Sequence, residues 1–327
     1  MRRLNRTISY YMKSTFYFFF LFFHITGFAQ ITFERQYGNH STYQGGWWIE
    51  PTFDGGYLIA GYGNNFPQGT GMPLLMKIDA YGDSVWSKIL WGQPAWFGME
   101  GSFFELHQLA DSGFIVGGYR RGAQDDFFLM RINMNGDSVW TKLIKDSLTS
   151  KCMSVAPTMD GGFIAHTVNS IYKLYKFDSG GNVVWVKPFI IGLPWGYKEI
   201  IRQTSDSGYV LFGTSRNTAG PNTLRCFMAK FDSQGDSLWI KEFGSNLSLC
   251  YSGQQTADGG YVLCGKDHAA ANNVFLAKTD ANGDTLWTKY YGGAVSTVRK
   301  VTMLGRQMTA VTLFVERLIV WERRIWI

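Results

Sequence analysis

One repeat, present five times, constrains the fold of this chain more than any other feature. Each copy opens with Asp-[Gly/Ser]-Gly-[Tyr/Phe] and a short apolar run, as in "DGGYLIAG" and "DGGYVLCG", and closes with a segment such as "DSVWTK". The tryptophans of these closing segments are 54, 45, 54 and 48 residues apart. That period fits four short strands with their turns, and such units stack because none buries its apolar faces alone.

The residue types in the repeat predict where the chain turns. Asp-Gly-Gly, Asn-Gly and Gly-Gly supply the positive φ angles of tight hairpins, and Asp or Asn side chains bond to the backbone two residues on. Between turns the pattern alternates, so Val139 and Thr141 share one strand face while Trp140 and Lys142 share the other. Each unit is therefore predicted to be a four-stranded blade: strand, DGG turn, strand, variable loop, strand, D-x-x-G turn, strand.

Two positions recur in every repeat and are predicted to be structural. A tryptophan ring at the same point of five units is better explained by packing between adjacent blades than by catalysis. The recurring aspartate marks the turn between the first two strands. These positions are Trp86, Trp140, Trp185, Trp239 and Trp287, and Asp54, Asp111, Asp160, Asp206 and Asp258.

The half-repeat K-x-D-x-x-G-[DN]-x-x-W-x-K resembles the tryptophan-docking repeat of quinoprotein-like β-propellers. The whole unit is similar to the DGGY repeats of exported β-propeller proteins of Bacteroidota, over roughly residues 31–298. This resemblance implies an all-β fold, a β-propeller of four-stranded blades for residues 30–298.

The first 29 residues are predicted to be a secretory signal peptide. Four basic side chains precede the apolar run Phe16–Phe23, and Ala29 supplies a small residue for cleavage. The run is shorter than the roughly 18–20 residues of a membrane span, so no span is expected after cleavage. Met12 is an alternative start. The expected location is outside the cytoplasm: extracellular, at the cell surface, or periplasmic.

The net charge of +6 comes from the two ends of the chain. Of the 31 basic residues, four precede residue 30 and six follow residue 298, whereas two of the 25 acidic residues lie in these segments. Residues 30–298 therefore carry 21 basic and 23 acidic side chains. This balance argues against nucleic acid as a partner.

Four cysteines lie within the repeats: Cys152, Cys226, Cys250 and Cys264. Export permits disulfides, with three pairings open, and buried free thiols are the alternative. The sequence shows no CxxC motif and no His/Cys spacing of a metal site, so neither a metal nor a cofactor is predicted.

Residues 299–327 lack the repeat where a sixth copy should begin. If the third base of each codon is read with the first two of the next, Arg306 to Glu316 can encode "TDDGGYxxCG". We therefore predict a frameshifted, non-native tail on a propeller truncated from six or more blades. The alternative is a genuine amphipathic C-terminal helix.

Function is expected on the face that carries the variable loops. The connections "WGQPAWFGME" and "IGLPWGYKE" place Trp96, Phe97, Trp195 and Tyr197 outside the strand pattern. Such rings suit stacking on sugars or contact with peptides, and local packing under a long loop is the alternative. The predicted partner is a glycan or an extracellular protein or peptide.

The sequence thus predicts a binding or scaffold module without catalysis of its own. The alternative is an extracellular carbohydrate-active or quinoprotein-like enzyme. A glycosidase needs two carboxylates that face one pocket. Asp125, Asp126, Glu105 and Glu199 fall outside the repeat, but the sequence pairs none of them.

Overall fold

The computed structural model describes residues 35, 37, 44–63, 72–89, 105–120, 126–144, 151–168, 171–194, 199–216, 223–245, 247–268, 273–291, 301–303 and 313–315. Strands and turns dominate these segments. Within them, no helix has the length and apolarity required to cross a membrane.

The first three blades are four-stranded antiparallel sheets in which spatial order equals chain order. Blade 1 comprises β1 Gln44–Pro51, β2 Tyr57–Gly63, β3 Met72–Ile78 and β4 Ser84–Ile89. Blade 2 comprises β5 Glu105–Gln108, β6 Phe114–Arg120, β7 Asp126–Ile132 and β8 Ser138–Ile144. Blade 3 comprises β9 Lys151–Pro157, β10 Phe163–Val168, β11 Tyr172–Phe177 and β12 Val183–Phe189.

Blade 4 has an interrupted first strand. The two-residue β13 Leu193–Pro194 and the longer β14 Ile200–Gln203 both pair with β15 Tyr209–Arg216, which is followed by β16 Leu224–Phe231 and β17 Ser237–Phe243. Blade 5 comprises β18 Ser248–Gln255, β19 Tyr261–Asp267, β20 Asn273–Thr279 and β21 Thr285–Tyr291. A separate antiparallel pair joins β22 Val301–Met303 and β23 Leu313–Val315.

The blades follow one another around a common axis and form a β-propeller. The first strands contact each other in the order β1, β5, β9, β14 and β18, so they line the axis. The fourth strands lie on the outer rim, where every second side chain is exposed, such as Val139 and Leu238. The predicted all-β propeller of four-stranded blades is confirmed, with five blades described.

The first residue after the turn aspartate has a positive φ angle in every blade, as predicted for Gly55, Gly161 and Gly259. Where the sequence reads Asp-Ser-Gly, Ser112 and Ser207 adopt the same conformation, with φ angles of 68° and 65°. The turn therefore imposes this conformation on a serine as well.

The second glycine of the turn serves a different purpose. A Cβ on Gly56, Gly162 or Gly260 would lie 2.2 Å from the backbone carbonyl oxygen at the end of the third strand. The residue must be glycine because the two backbones approach too closely for a side chain. Both glycines were predicted to supply positive φ angles, and this is correct for the first glycine alone.

The apolar core lies between blades. One cluster joins Leu58 and Leu75 of blade 1 to Leu106 and Phe114 of blade 2, and the later seams repeat this arrangement. All four cysteines are buried free thiols, so the structure matches the unpaired alternative.

Candidate functional site

Four repeat tryptophans pack on the D-x-x-G turn of the following blade. A Cβ placed on Gly235 of blade 4 would lie 2.5 Å from Cη2 of Trp185 in blade 3, so the ring covers the glycine directly. Trp185 also meets Tyr209 edge-on at 6.0 Å between ring centroids. The same packing places Trp86 on Gly136, Trp140 on Gly181 and Trp239 on Gly283.

Trp287 of blade 5 has a different environment. It is 37% exposed, and the Lys289 ammonium lies 5.5 Å from its ring centroid. Among the described residues, no glycine of a following blade lies under it.

A lysine on each of these outer strands reaches the residue that follows the covered glycine. Lys187 and Lys241 lie 2.7 Å from Asp236 and Asp284, and Lys88 contacts Asp137. Lys142 instead donates to the amide oxygen of Asn182 at 3.1 Å. Tryptophan and lysine together attach the outer edge of one blade to the next.

Each repeat aspartate is held inside its own blade. Asp160 Oδ1 accepts hydrogen bonds from Thr158 Oγ1 at 2.5 Å, Gly162 N at 3.1 Å and Lys176 Nζ at 3.1 Å. The equivalent pairs are Asp54 with Lys77, Asp111 with Arg131, Asp206 with Lys230 and Asp258 with Lys278. These aspartates fix the turn.

Acid should destabilise the fold through these turns. Burial alone would raise the pKa of Asp54, Asp160 and Asp206, but hydrogen bonds from lysine, threonine and glycine outweigh it and lower each pKa to about 2. The unfolded pKa is about 3.9, so this stabilisation is complete above that pH and declines as pH falls towards 2. The urea concentration at which half of the protein is unfolded should decrease as the pH is lowered from 6 to 2. In Asp160→Asn this decrease should be smaller. An equal decrease in the variant would contradict the role given to the Asp160 carboxylate.

The residues that differ between blades lie on the inner strands. Four residues before each turn aspartate, the blades carry in order Glu50, His107, Ala156, Arg202 and Gln254. Three of these five side chains meet near the axis with residues two positions earlier. We call this group the axial cluster: Trp48, Glu50, Glu105, His107, Ser154 and Arg202.

Glu105 is the most enclosed ionisable member of the axial cluster, with a 3% exposed side chain. Arg202, two blades away, lies 2.6 Å from Oε1, and the Val155 amide donates to Oε2 at 3.0 Å. Ser154 Oγ donates to Oε2 and accepts from Ile201 N at 2.9 Å. Burial would raise the pKa of Glu105, but Arg202, His107 and Ser154 outweigh it and lower it to about 2. The carboxylate is ionised and saturated with donors.

His107 bridges two carboxylates. Its Nε2 lies 3.2 Å from Glu105 and its Nδ1 lies 3.4 Å from Glu50. Burial and Arg202 lower the pKa of His107, but the two carboxylates more than compensate, so the net shift is upward. The ring meets Trp48 edge-on at 5.8 Å between centroids, and the Arg202 guanidinium carbon lies 5.9 Å from the Trp48 ring.

A second ionisable pair lies between blades 3 and 4. His166 Nε2 is 2.5 Å from Glu199 Oε2, and both side chains are fully buried. His166 stacks on Tyr172 at 5.5 Å. The sequence paired neither Glu105 nor Glu199 with a second carboxylate. In the structure each contacts a histidine, and the histidine that contacts Glu199 comes from the preceding blade.

The four aromatic residues predicted to bind a ligand, Trp96, Phe97, Trp195 and Tyr197, lie outside the described residues, as does Asp125. They belong to the connections that lead into Glu105 and Glu199. Among the described residues, no group of three or more His, Cys, Asp or Glu side chains is arranged to hold a metal ion.

The axial cluster was not found from the sequence because its positions change from repeat to repeat. Alignment of the repeats on the turn aspartate would have shown that Glu50, His107 and Arg202 occupy the same position of their blades. Their contacts would still have been undetermined, since three different blades supply them.

Comparison with solved structures shows the propeller fold. A protein of unknown function from Bacteroides caccae matches with a TM-score of 0.52 and 11% identity, over 76% of this chain and 82% of that chain. One from Dyadobacter fermentans matches with a TM-score of 0.54 and 11% identity, over 79% and 87%. A lectin from Burkholderia pseudomallei matches with a TM-score of 0.50 and 8% identity, over 75% and 69%. At these identities the likeness shows the fold alone. No protein-family model and no curated protein matches the sequence.

Proposed function

We propose that this protein is an exported β-propeller that binds an extracellular glycan or peptide at the end of the axis where the connections into β5 and β14 enter. In this proposal the axial cluster forms a rigid polar floor. Trp96, Phe97, Trp195 and Tyr197, which belong to those connections in the sequence, are the residues proposed to contact the ligand.

The observation that carries the proposal is the saturation of Glu105. A glycosidase acid must hold a proton near neutral pH, and a nucleophile must present a free carboxylate oxygen. Glu105 has a low pKa, and both oxygens accept from Arg202, Ser154, His107 or the Val155 amide. This arrangement favours a preorganised recognition surface over acid–base catalysis.

The rest of the axial cluster suits recognition of a polar ligand. Arg202 is 25% exposed and is held by its bond to Ile201 O at 2.6 Å, so its free donors are fixed in direction. Planar guanidinium donors and aromatic faces are the groups that most often anchor a bound partner. One propeller of similar fold is a lectin, which agrees with a glycan as the ligand.

An enzyme on the same frame is the second candidate. It is favoured by Glu50 and Glu105, two non-repeating carboxylates on opposite edges of one imidazole. Release of reducing sugar by the purified chain, lost in Glu105→Gln without loss of folding, would support it over the binding module.

The binding proposal is tested with glycan and peptide arrays on the purified full-length product, followed by titration of any hit. Trp96→Ala and Trp195→Ala should each weaken binding by about tenfold or more, as expected for aromatic anchors. Trp287→Ala is the matched control at the outer rim and should change affinity less than twofold. Binding unaffected by either loop substitution would rule out this ligand face.

A further inference from the structure

We propose that the segment around Arg35 and Tyr37 serves as the outermost strand of a sixth blade, which lies between blade 5 and blade 1. The segment would then dock on blade 1 as the outer strands of blades 1 to 4 dock on the blades that follow them.

The first observation is an ion pair on blade 1. Arg35 Nη2 lies 3.4 Å from Asp83 Oδ1. Asp83 occupies the turn position at which Asp137, Asp236 and Asp284 receive the lysine of the preceding outer strand. Blade 1 has no preceding four-stranded blade among the described strands, yet its turn receives a cation in the same place.

The second observation concerns the neighbouring glycine. Tyr37 Oη donates to Gly82 O at 2.7 Å. Gly82 has a φ of 82° and is the counterpart of Gly136, Gly235 and Gly283, which the tryptophans of preceding blades cover. The segment therefore contacts blade 1 at the same two turn positions that β4, β8, β12 and β17 contact on the blades that follow them.

The third observation is in the sequence. Residues 33–38 read "FERQYG", which aligns without gaps with "WIKEFG" at 239–244 and "WTKYYG" at 287–292. Arg35 aligns with Lys241 and Lys289, and Tyr37 aligns with Phe243 and Tyr291. Phe33 stands at the tryptophan position. The alignment assigns the segment to the outer-strand part of the repeat.

The fourth observation lies on the other side of the gap. β22 contacts β18 and β19 of blade 5, as each inner strand contacts the blade before it. It pairs with β23 in the antiparallel register Val301 to Val315. The 37% exposed Trp287 lies on the last complete blade before this gap.

Hydrogen exchange on the full-length exported product tests the proposal. Amides of residues 33–38 should exchange at least about tenfold more slowly than in the isolated peptide, because a docked strand opens less often. Arg35→Glu/Tyr37→Ala should remove that protection, and the charge-swapped pair Arg35→Asp/Asp83→Arg should retain most of it. Lys187→Glu, the equivalent change between blades 3 and 4, should leave residues 33–38 unaffected.

Exchange as fast as in the free peptide would overturn the proposal. So would protection that survives Arg35→Glu/Tyr37→Ala, since the segment would then be held elsewhere. Equal loss of protection in Lys187→Glu would also overturn it, because the effect would then be global unfolding.

Discussion

Trp185→Ala is expected to lower the free energy of unfolding by about 3 kcal/mol, the lower end of the range for removing a packed aromatic ring. The ring covers Gly235 and meets Tyr209 edge-on, so its loss leaves a gap across the seam between blades 3 and 4.

Trp287→Ala is the matched control for this substitution. The same residue type at the same repeat position is 37% exposed there, so its loss should cost less than about 1 kcal/mol. Urea unfolding of both variants measures the difference. Equal losses would show that blade stacking does not determine the contribution of the tryptophan.

Arg202→Met is expected to lower the free energy of unfolding by about 3 kcal/mol, since it leaves the enclosed Glu105 carboxylate without its cation. The pKa of Glu105 should rise, so the loss should shrink when the medium is acidified. Glu105→Gln combined with Arg202→Met should recover most of the stability, because no unpaired charge then remains buried.

Arg225→Met is the control for this prediction. The Arg225 side chain is 28% exposed, similar to the 25% of Arg202. Its partner Glu242, however, is 43% exposed, and the two charged groups lie 3.8 Å apart. An ion pair of that kind contributes about 0–1 kcal/mol. Similar losses in the two variants, measured by urea unfolding, would contradict the role assigned to burial of Glu105.

The frame was predictable because each blade encodes it locally. The aspartate, glycine and tryptophan positions recur with the strand pattern, so five blades follow from periodicity. The sequence also contains a cationic partner for each aspartate. It is the lysine that begins the K-x-D motif, replaced in blade 2 by Arg131. It was missed because the two residues belong to different strands of the blade.

The axial cluster was not predictable in the same way. Arg202, Glu105 and Trp48 come from three blades, and their contacts depend on how far each blade tilts into the axis. Residues 299–327 stay predicted as a frameshifted tail, and residues 1–29 as a signal peptide. The described parts of the tail, 301–303 and 313–315, form strands.

The position four residues before the turn aspartate, occupied in order by Glu50, His107, Ala156, Arg202 and Gln254, differs in every blade. The outer strands of the blades, by contrast, repeat nearly the same residues, as expected for units that arose by gene duplication. The inner position has diverged in every copy. A substitution there alters the axis but leaves the tryptophan seams intact, so descendants of such a gene could acquire new specificities one blade at a time.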